Sequence, residues 1–383
     1  MSLPREGSAL EWPRRRRVAD CAPDEARYLR AALDAAHAAR VFLAWMEHAS
    51  ERLAPDRSVA LAEQTEAAHA GTLGACRASL DAGPPPSELA PFAERFNEGF
   101  ENVERACELF TSFSTAPPHE RIARILGAIH YVARAQEVFY QLRLGLPPFA
   151  DYWCLPGVDV ADQAARRGDD GSPETGIVHV ARGGHHGGFS VYVPEHYTSE
   201  RAWPLIVALH GGSGNGRDFL WTWVREAKSC GYLLVAPTAA ADTWSAVDDR
   251  GLLEILAWLA GRYHLDAGRI LLTGLSDGAT FTLLYGLAHP DVYRALAPLC
   301  GVLHPANAVL GNLGRARGVP IYLVHGAQDF LFPVALAHVT RDTLTTAGAA
   351  LEYREIADLS HTYPRSENTR VLRWFESLPP RAE

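Results

Sequence analysis

Five short apolar runs recur through the second half of the chain: Leu205 to Leu209, Tyr232 to Ala236, Ile270 to Thr273, Leu296 to Leu299 and Ile321 to Val324. None alternates polar with apolar residues, so a strand built from one of them is covered on both faces. Helical stretches at about 249 to 263, 278 to 288 and 334 to 347 lie between or after them. That alternation predicts an α/β class domain with a mainly parallel sheet and flanking helices. Ahead of it, Gly176 to Val180 and Phe189 to Val193 flank the turn-like segment Gly183, Gly184, His185, His186, Gly187, Gly188 and predict a hairpin.

The first part of the chain follows a different periodicity. From about 24 to 145 it is rich in Ala, Glu, Arg and Leu and broken by prolines, which predicts four helices. The first follows Pro23 and Asp24 and reaches about Leu53; the second begins near Asp56 and stops before Gly83. In the third, Leu89, Phe92, Phe96, Phe100, Val103, Cys107 and Phe110 recur at steps of three and four, with Ser87 expected as its cap. Pro117 and Pro118 open a fourth, striped by Ile122, Ile125, Ile129 and Val132; an antiparallel bundle would bury these stripes against one another. Pro, Gly and Asp then take over, and the run from Arg166 to Pro173 reads as solvated linker. The expected organisation is a disordered tail over 1–22, an all-α helical-bundle domain over 23–146, a linker over 147–175 and the α/β domain over 176–383. A chain of 383 residues is long enough for two domains.

Composition narrows the partners. A formal charge of −9 with no spread basic face argues against nucleic acid. The run Arg14 to Arg17 lacks the apolar stretch that an export signal needs behind it, and Cys21 fails as a lipid acceptor for the same reason. No segment reaches the roughly 18 apolar residues that span a bilayer, so stable membrane insertion is not expected. Six cysteines stand singly, without metal-ligand spacing, which suits a reducing cytoplasm and predicts no metal site. Neutral or weakly charged small molecules fit best, and homo-oligomerisation through the helical domain stays open.

The chemistry concentrates at Gly274, Leu275, Ser276, Asp277, Gly278, which follows the apolar run Ile270 to Thr273 and precedes a helical stretch. A serine on a tight strand-to-helix turn projects its hydroxyl, and small residues on either side avoid the neighbouring strand and helix. A hydroxyl is a weak nucleophile at neutral pH, so a base must take its proton and a carboxylate must orient that base. Asp329 falls in the loop after Ile321 to Val324, and His361 falls after the last strand candidate, Leu351 to Ile356. The order Ser276, Asp329, His361 is the one such a sheet demands. Leu209, His210, Gly211, Gly212, Ser213, Gly214 closes another strand, where the Gly212 amide, with Ser213 as competitor, and the Asp277 amide are expected to hold the oxyanion.

On these motifs, "FSVYVPEHY", "WPLIVALHGGSGNG", "GLSDGA", "VHGAQDFLFP" and "SHTYP", the stretch from about 176 to 378 resembles the predicted esterase, carboxylesterase and polyhydroxybutyrate-depolymerase-like group of the α/β-hydrolase superfamily. The resemblance implies a serine hydrolase cleaving a small or medium ester through an acyl-enzyme, with no metal or organic cofactor. A thioesterase or acyltransferase with the same triad stays open. So does an idle hydrolase scaffold that binds a partner through the helices, although an intact triad argues against it.

Several residues have plainer readings. Adjacent His185 and His186 point to opposite faces of a strand and read as turn filler. His210 and His325 are expected to brace their loops, and Asp358 to yield to Asp329 as the orienting acid. Trp221, Trp223 and Trp244 could line a pocket or pack in the core.

Overall fold

The computed structural model describes residues 22–158, 165–166, 173–181 and 187–379. They divide between Trp153 and Cys154 into two compact units. The basic run Arg14 to Arg17, Cys21, His185 and His186 lie outside the described residues.

The first unit is helical: α1 Pro23–Glu51, α2 Ser58–Thr65, α3 Gly71–Asp81, α4 Ala90–Ser112 and α5 Pro118–Leu142. Pro23 opens α1 where no amide is needed, and Asp24 and Glu25 place negative charge at its N-terminal dipole. A π turn over Glu66–Ala70 joins α2 to α3 and carries buried His69, whose ring meets Phe42 edge-on at 5.6 Å. Along α4 the predicted stripe is buried, with Phe96 stacked between Phe92 and Phe100 at 5.7 and 6.2 Å and edge-on to Phe139 at 5.7 Å.

Two expectations for this unit need correction. Ser87 does not cap α4; it opens a 3-10 turn over Ser87–Leu89, and α4 starts without a side-chain cap. The Leu89 amide, which a Ser87 cap would have claimed, already donates to the Pro86 carbonyl at 2.9 Å. In α5 the stripe is turned away from the core at its start: Ile122 is 69% and Ile129 38% exposed, while Val132 is buried. The buried face runs instead through Ala128, Val132, Ala135 and Phe139, whose small alanines let α4 approach closely. After α5, a 3-10 turn over Pro147–Phe149 brings Phe149 onto Phe139 at 4.6 Å, and Trp153 meets Tyr140 at 5.0 Å. Packed structure therefore continues to Trp153.

The second unit holds β1 Gly176–Val180, β2 Phe189–Val193, β3 Trp203–Leu209, β4 Leu233–Pro237, β5 Leu265–Leu275, β6 Ala295–Leu299, β7 Pro320–Gly326 and β8 Ala350–Ile356. Its helices are α6 Gly216–Phe219, α7 Val224–Cys230, α8 Ala246–Ala260, α9 Asp277–Ala288, α10 Ala306–Val309, α11 Asn312–Arg315, α12 Val334–Thr346 and α13 Asn368–Ser377. The strands form one sheet in the order β1-β2-β4-β3-β5-β6-β7-β8. β2 pairs antiparallel with β1 and β4, and the remaining pairs are parallel. All residues of β2, β3, β4 and β6 are buried, as continuous apolar runs require. Parallel pairing aligns the carboxyl ends of β3, β5, β6, β7 and β8 along one edge of the sheet. Trp221, Trp223 and Trp244 are buried, on the packing side of the two readings open to them.

Candidate active site

Ser276 sits between β5 and α9 with φ 54° and ψ −115°, a conformation that side-chain-bearing residues seldom adopt. Its neighbours hold it there: the Ser276 amide donates to the Leu299 carbonyl at 3.0 Å, and the Thr280 amide donates to the Ser276 carbonyl at 2.9 Å. The two glycines of the motif are required by contact. A Cβ on Gly274 would lie 2.5 Å from the Gly278 carbonyl oxygen, and one on Gly278 would lie 2.3 Å from that of His210. This tight crossing of strand, turn and helix lifts the serine hydroxyl from the sheet edge.

Asp329 and His361 arrive from the loops after β7 and β8, further along that edge. His361 Nε2 lies 2.8 Å from Ser276 Oγ, and Nδ1 lies 2.7 Å from Asp329 Oδ2. An imidazole Nδ1 facing a carboxylate carries the proton there, which leaves Nε2 to accept from the serine hydroxyl. Asp329 is buried, and its other oxygen accepts the amides of Leu331 at 2.9 Å and Phe332 at 2.7 Å. Phe332 presses edge-on against the His361 ring at 5.3 Å. Asp358 is exposed, and His361 turns to Asp329 instead.

Leu209 pairs with Gly274, so the loop after β3 runs beside the serine turn. A Cβ on Gly211 would lie 3.5 Å from Ser276 Cβ, and one on Gly212 would lie 4.0 Å from Asp277 Cβ. The Ser213 amide, one of the two donors expected to compete in this loop, is committed to the Asp242 carbonyl at 2.7 Å. His210 braces the loop: Nδ1 donates to the Gly211 carbonyl at 2.6 Å, and Nε2 accepts the Ala239 amide at 3.1 Å. Burial holds its imidazole below the usual histidine range, as the neutral form in this bonding pattern requires. His325 is likewise buried and pushed down by burial, and its Nε2 donates to the Phe332 carbonyl at 2.8 Å.

Among the described residues no group of His, Cys, Asp and Glu side chains is arranged to hold a metal ion. None of the described helices is long and apolar enough to cross a membrane. The order of the sheet and the serine turn at its centre decide the fold family.

The second unit has the α/β-hydrolase fold.

Residues 255–376 of this unit match the family described as Phospholipase/Carboxylesterase. The chain is 28% identical over 127 residues to feruloyl esterase B of Talaromyces stipitatus, covering 29% of this chain and 35% of that protein. It is 24% identical over 130 residues to acetylxylan esterase A of Emericella nidulans, covering 30% of this chain and 42% of that one. It thus spans well under half the length of either curated relative. Among solved structures, a thermostable esterase aligns with a TM-score of 0.45 and 22% identity over 52% of this chain and 61% of that one.

Sequence reasoning missed Cys300 and left Trp244 open between pocket and core. Cys300, at φ 53° just past β6, is buried, and its Sγ lies 3.5 Å from the Thr362 carbonyl, next to the base. Burial pushes that thiol up to about 12, so it remains a neutral donor. Trp244 bonds both to His210 and to Asp277. Neither role has a local motif. The one available signal was position, since each follows the carboxyl end of a strand beside β5 or β3.

Proposed function

We propose that the α/β-hydrolase unit is a serine carboxylic-ester hydrolase that works through an acyl-enzyme on a small or medium ester. The observation that carries this reading is the continuous hydrogen-bonded line from Asp329 through His361 to a serine in a strained turn. His361 Nε2 takes the proton as Ser276 Oγ attacks the ester carbonyl, and the imidazolium that forms is stabilised by Asp329. Negative charge on the former carbonyl oxygen is received by the Gly212 and Asp277 amides. His361 then gives its proton to the leaving alcohol. In the second half water attacks the acyl group, His361 again serving as base, and Ser276 is restored.

The loop residues Gly212, Ser213 and Gly214 are exposed and Ser276 is half-buried, so water can reach an acyl group held there, which favours hydrolysis over transfer. The feruloyl and acetylxylan esterases among the relatives make feruloyl and acetyl esters the first substrates to assay. The six cysteines stand singly along the sequence, which supports a reducing, cytoplasmic setting.

The test is a fluorophosphonate probe together with p-nitrophenyl acetate turnover. Wild-type protein is expected to be labelled and active. Ser276→Ala is expected to lose the label and at least about 10⁴-fold in kcat while keeping its fold. Turnover in Ser276→Ala equal to wild type would refute the reading.

A further inference from the structure

The loop between β4 and α8, residues 238–245, makes no contribution to the chemistry above, yet it bonds to both segments that carry the oxyanion donors. The Ala239 amide donates to His210 Nε2 at 3.1 Å, and the Asp242 carbonyl accepts the Ser213 amide at 2.7 Å. Trp244 makes the two remaining links. Its indole Nε1 donates to the His210 carbonyl at 2.8 Å, and its backbone amide donates to Asp277 Oδ2 at 2.7 Å. The first fixes the peptide that leads into Gly211 and Gly212; the second fixes the residue whose own amide is the other donor.

The loop has the rigidity this requires. Buried Asp248 closes it on itself, accepting the Ala240 amide at 2.8 Å on one oxygen and the Ser245 amide at 2.9 Å on the other. That second bond is half of a capping box that starts α8. The Trp244 ring is buried, lying 4.9 Å from the His210 ring on one side and stacked on Phe281 of α9 at 5.6 Å and 20° on the other. A single side chain is thus wedged between the loop after β3 and the helix after β5. Oxyanion stabilisation depends on donors already aimed before charge develops, so a part that sets their separation acts on the transition state and little on the bound ester.

We propose that Trp244 is a positioning residue that holds the Gly212 and Asp277 amides at the separation an oxyanion needs. The proposal rests on the serine-hydrolase reading of Ser276, and the experiment separates the two. If the wild-type full chain neither takes up a fluorophosphonate nor hydrolyses p-nitrophenyl acetate, both the reading and the proposal fall. With wild-type activity in hand, Trp244→Phe, which keeps a ring and loses the indole donor, is expected to lower kcat 10- to 100-fold with KM within twofold. Affinity for a trifluoromethyl ketone, which presents an oxyanion, should fall by a similar factor.

Asp277→Ala removes the acceptor of the Trp244 amide while keeping the 277 amide itself. It is expected to lose kcat in the same manner, and Asp277→Asn, which retains an acceptor oxygen, to lose at least threefold less. This pair also decides the matter should Trp244→Phe fail to fold. Unchanged kcat in Trp244→Phe, a loss confined to KM, or equal losses in the two Asp277 variants would overturn the positioning role and leave the serine-hydrolase reading intact.

Discussion

Ser276 carries two burdens at once, its hydroxyl chemistry and its backbone conformation, and they can be separated by substitution. Both Ser276→Ala and Ser276→Gly lack the hydroxyl, but only glycine tolerates φ 54° without steric cost. Strain of this kind costs about 1–3 kcal/mol, partly offset by the greater freedom of glycine in the unfolded chain. Ser276→Gly is therefore expected to be more stable than Ser276→Ala by about 1 kcal/mol in urea unfolding. Equal stabilities would mean that the turn imposes no strain. The same scale explains why Ser276, Asp329 and His361 could be nominated from the chain alone. Each follows a run whose strand character is legible, and in a parallel sheet the residues just past such runs share one edge.

Elements meet the site through close contacts that no substitution can ease. Gly278, the first residue of α9 past Asp277, lies under the end of β3, where a Cβ would come within 2.3 Å of the His210 carbonyl and 2.5 Å of that of Leu209. Both atoms are backbone, so the helix or the strand must shift. Gly278→Ala is expected to destabilise the protein by about 3 kcal/mol, seen as a lower urea midpoint, and to disturb the loop that carries Gly212. A variant with wild-type midpoint would show that α9 stands further from β3 than these contacts imply. In the helical unit the lesson runs the other way. The α4 stripe predicted its own burial because six large groups on one face leave no alternative. The α5 stripe misled because Ile122, Ile125 and Ile129 compete with an alanine face that packs more closely on α4.

Across the whole molecule, buried neutral histidines tie stability to pH. Burial keeps His210 and His325 below the ordinary imidazole value of 6.5. Above that value both are neutral whether the chain is folded or not, and they contribute no pH dependence. As pH falls through 6.5 the unfolded chain binds protons that the folded one refuses, so stability declines with acidification. We expect the Tm of the wild-type protein to drop below pH 6.5, and less steeply in His325→Gln, whose amide can still donate toward the Phe332 carbonyl and does not titrate. An identical slope in the two proteins would show that His325 is not part of this linkage.

Sequence pattern alone carried the α/β class, the mainly parallel sheet, and the nomination of Ser276, Asp329 and His361, which the fold brings together, in the order in which they occur. It could do so because strand periodicity, glycine spacing and chain order are local properties, and a parallel sheet turns chain order into position. Tertiary packing decided the rest: which face of α5 is buried, why Ser213 surrenders its amide to Asp242, and how Trp244 and Cys300 come to brace the site. Those depend on bonds between residues that are 34 positions apart for Trp244 and His210 and 62 apart for Cys300 and Thr362. A lone tryptophan or cysteine carries no mark of the partner it will meet until the sheet has brought the two together.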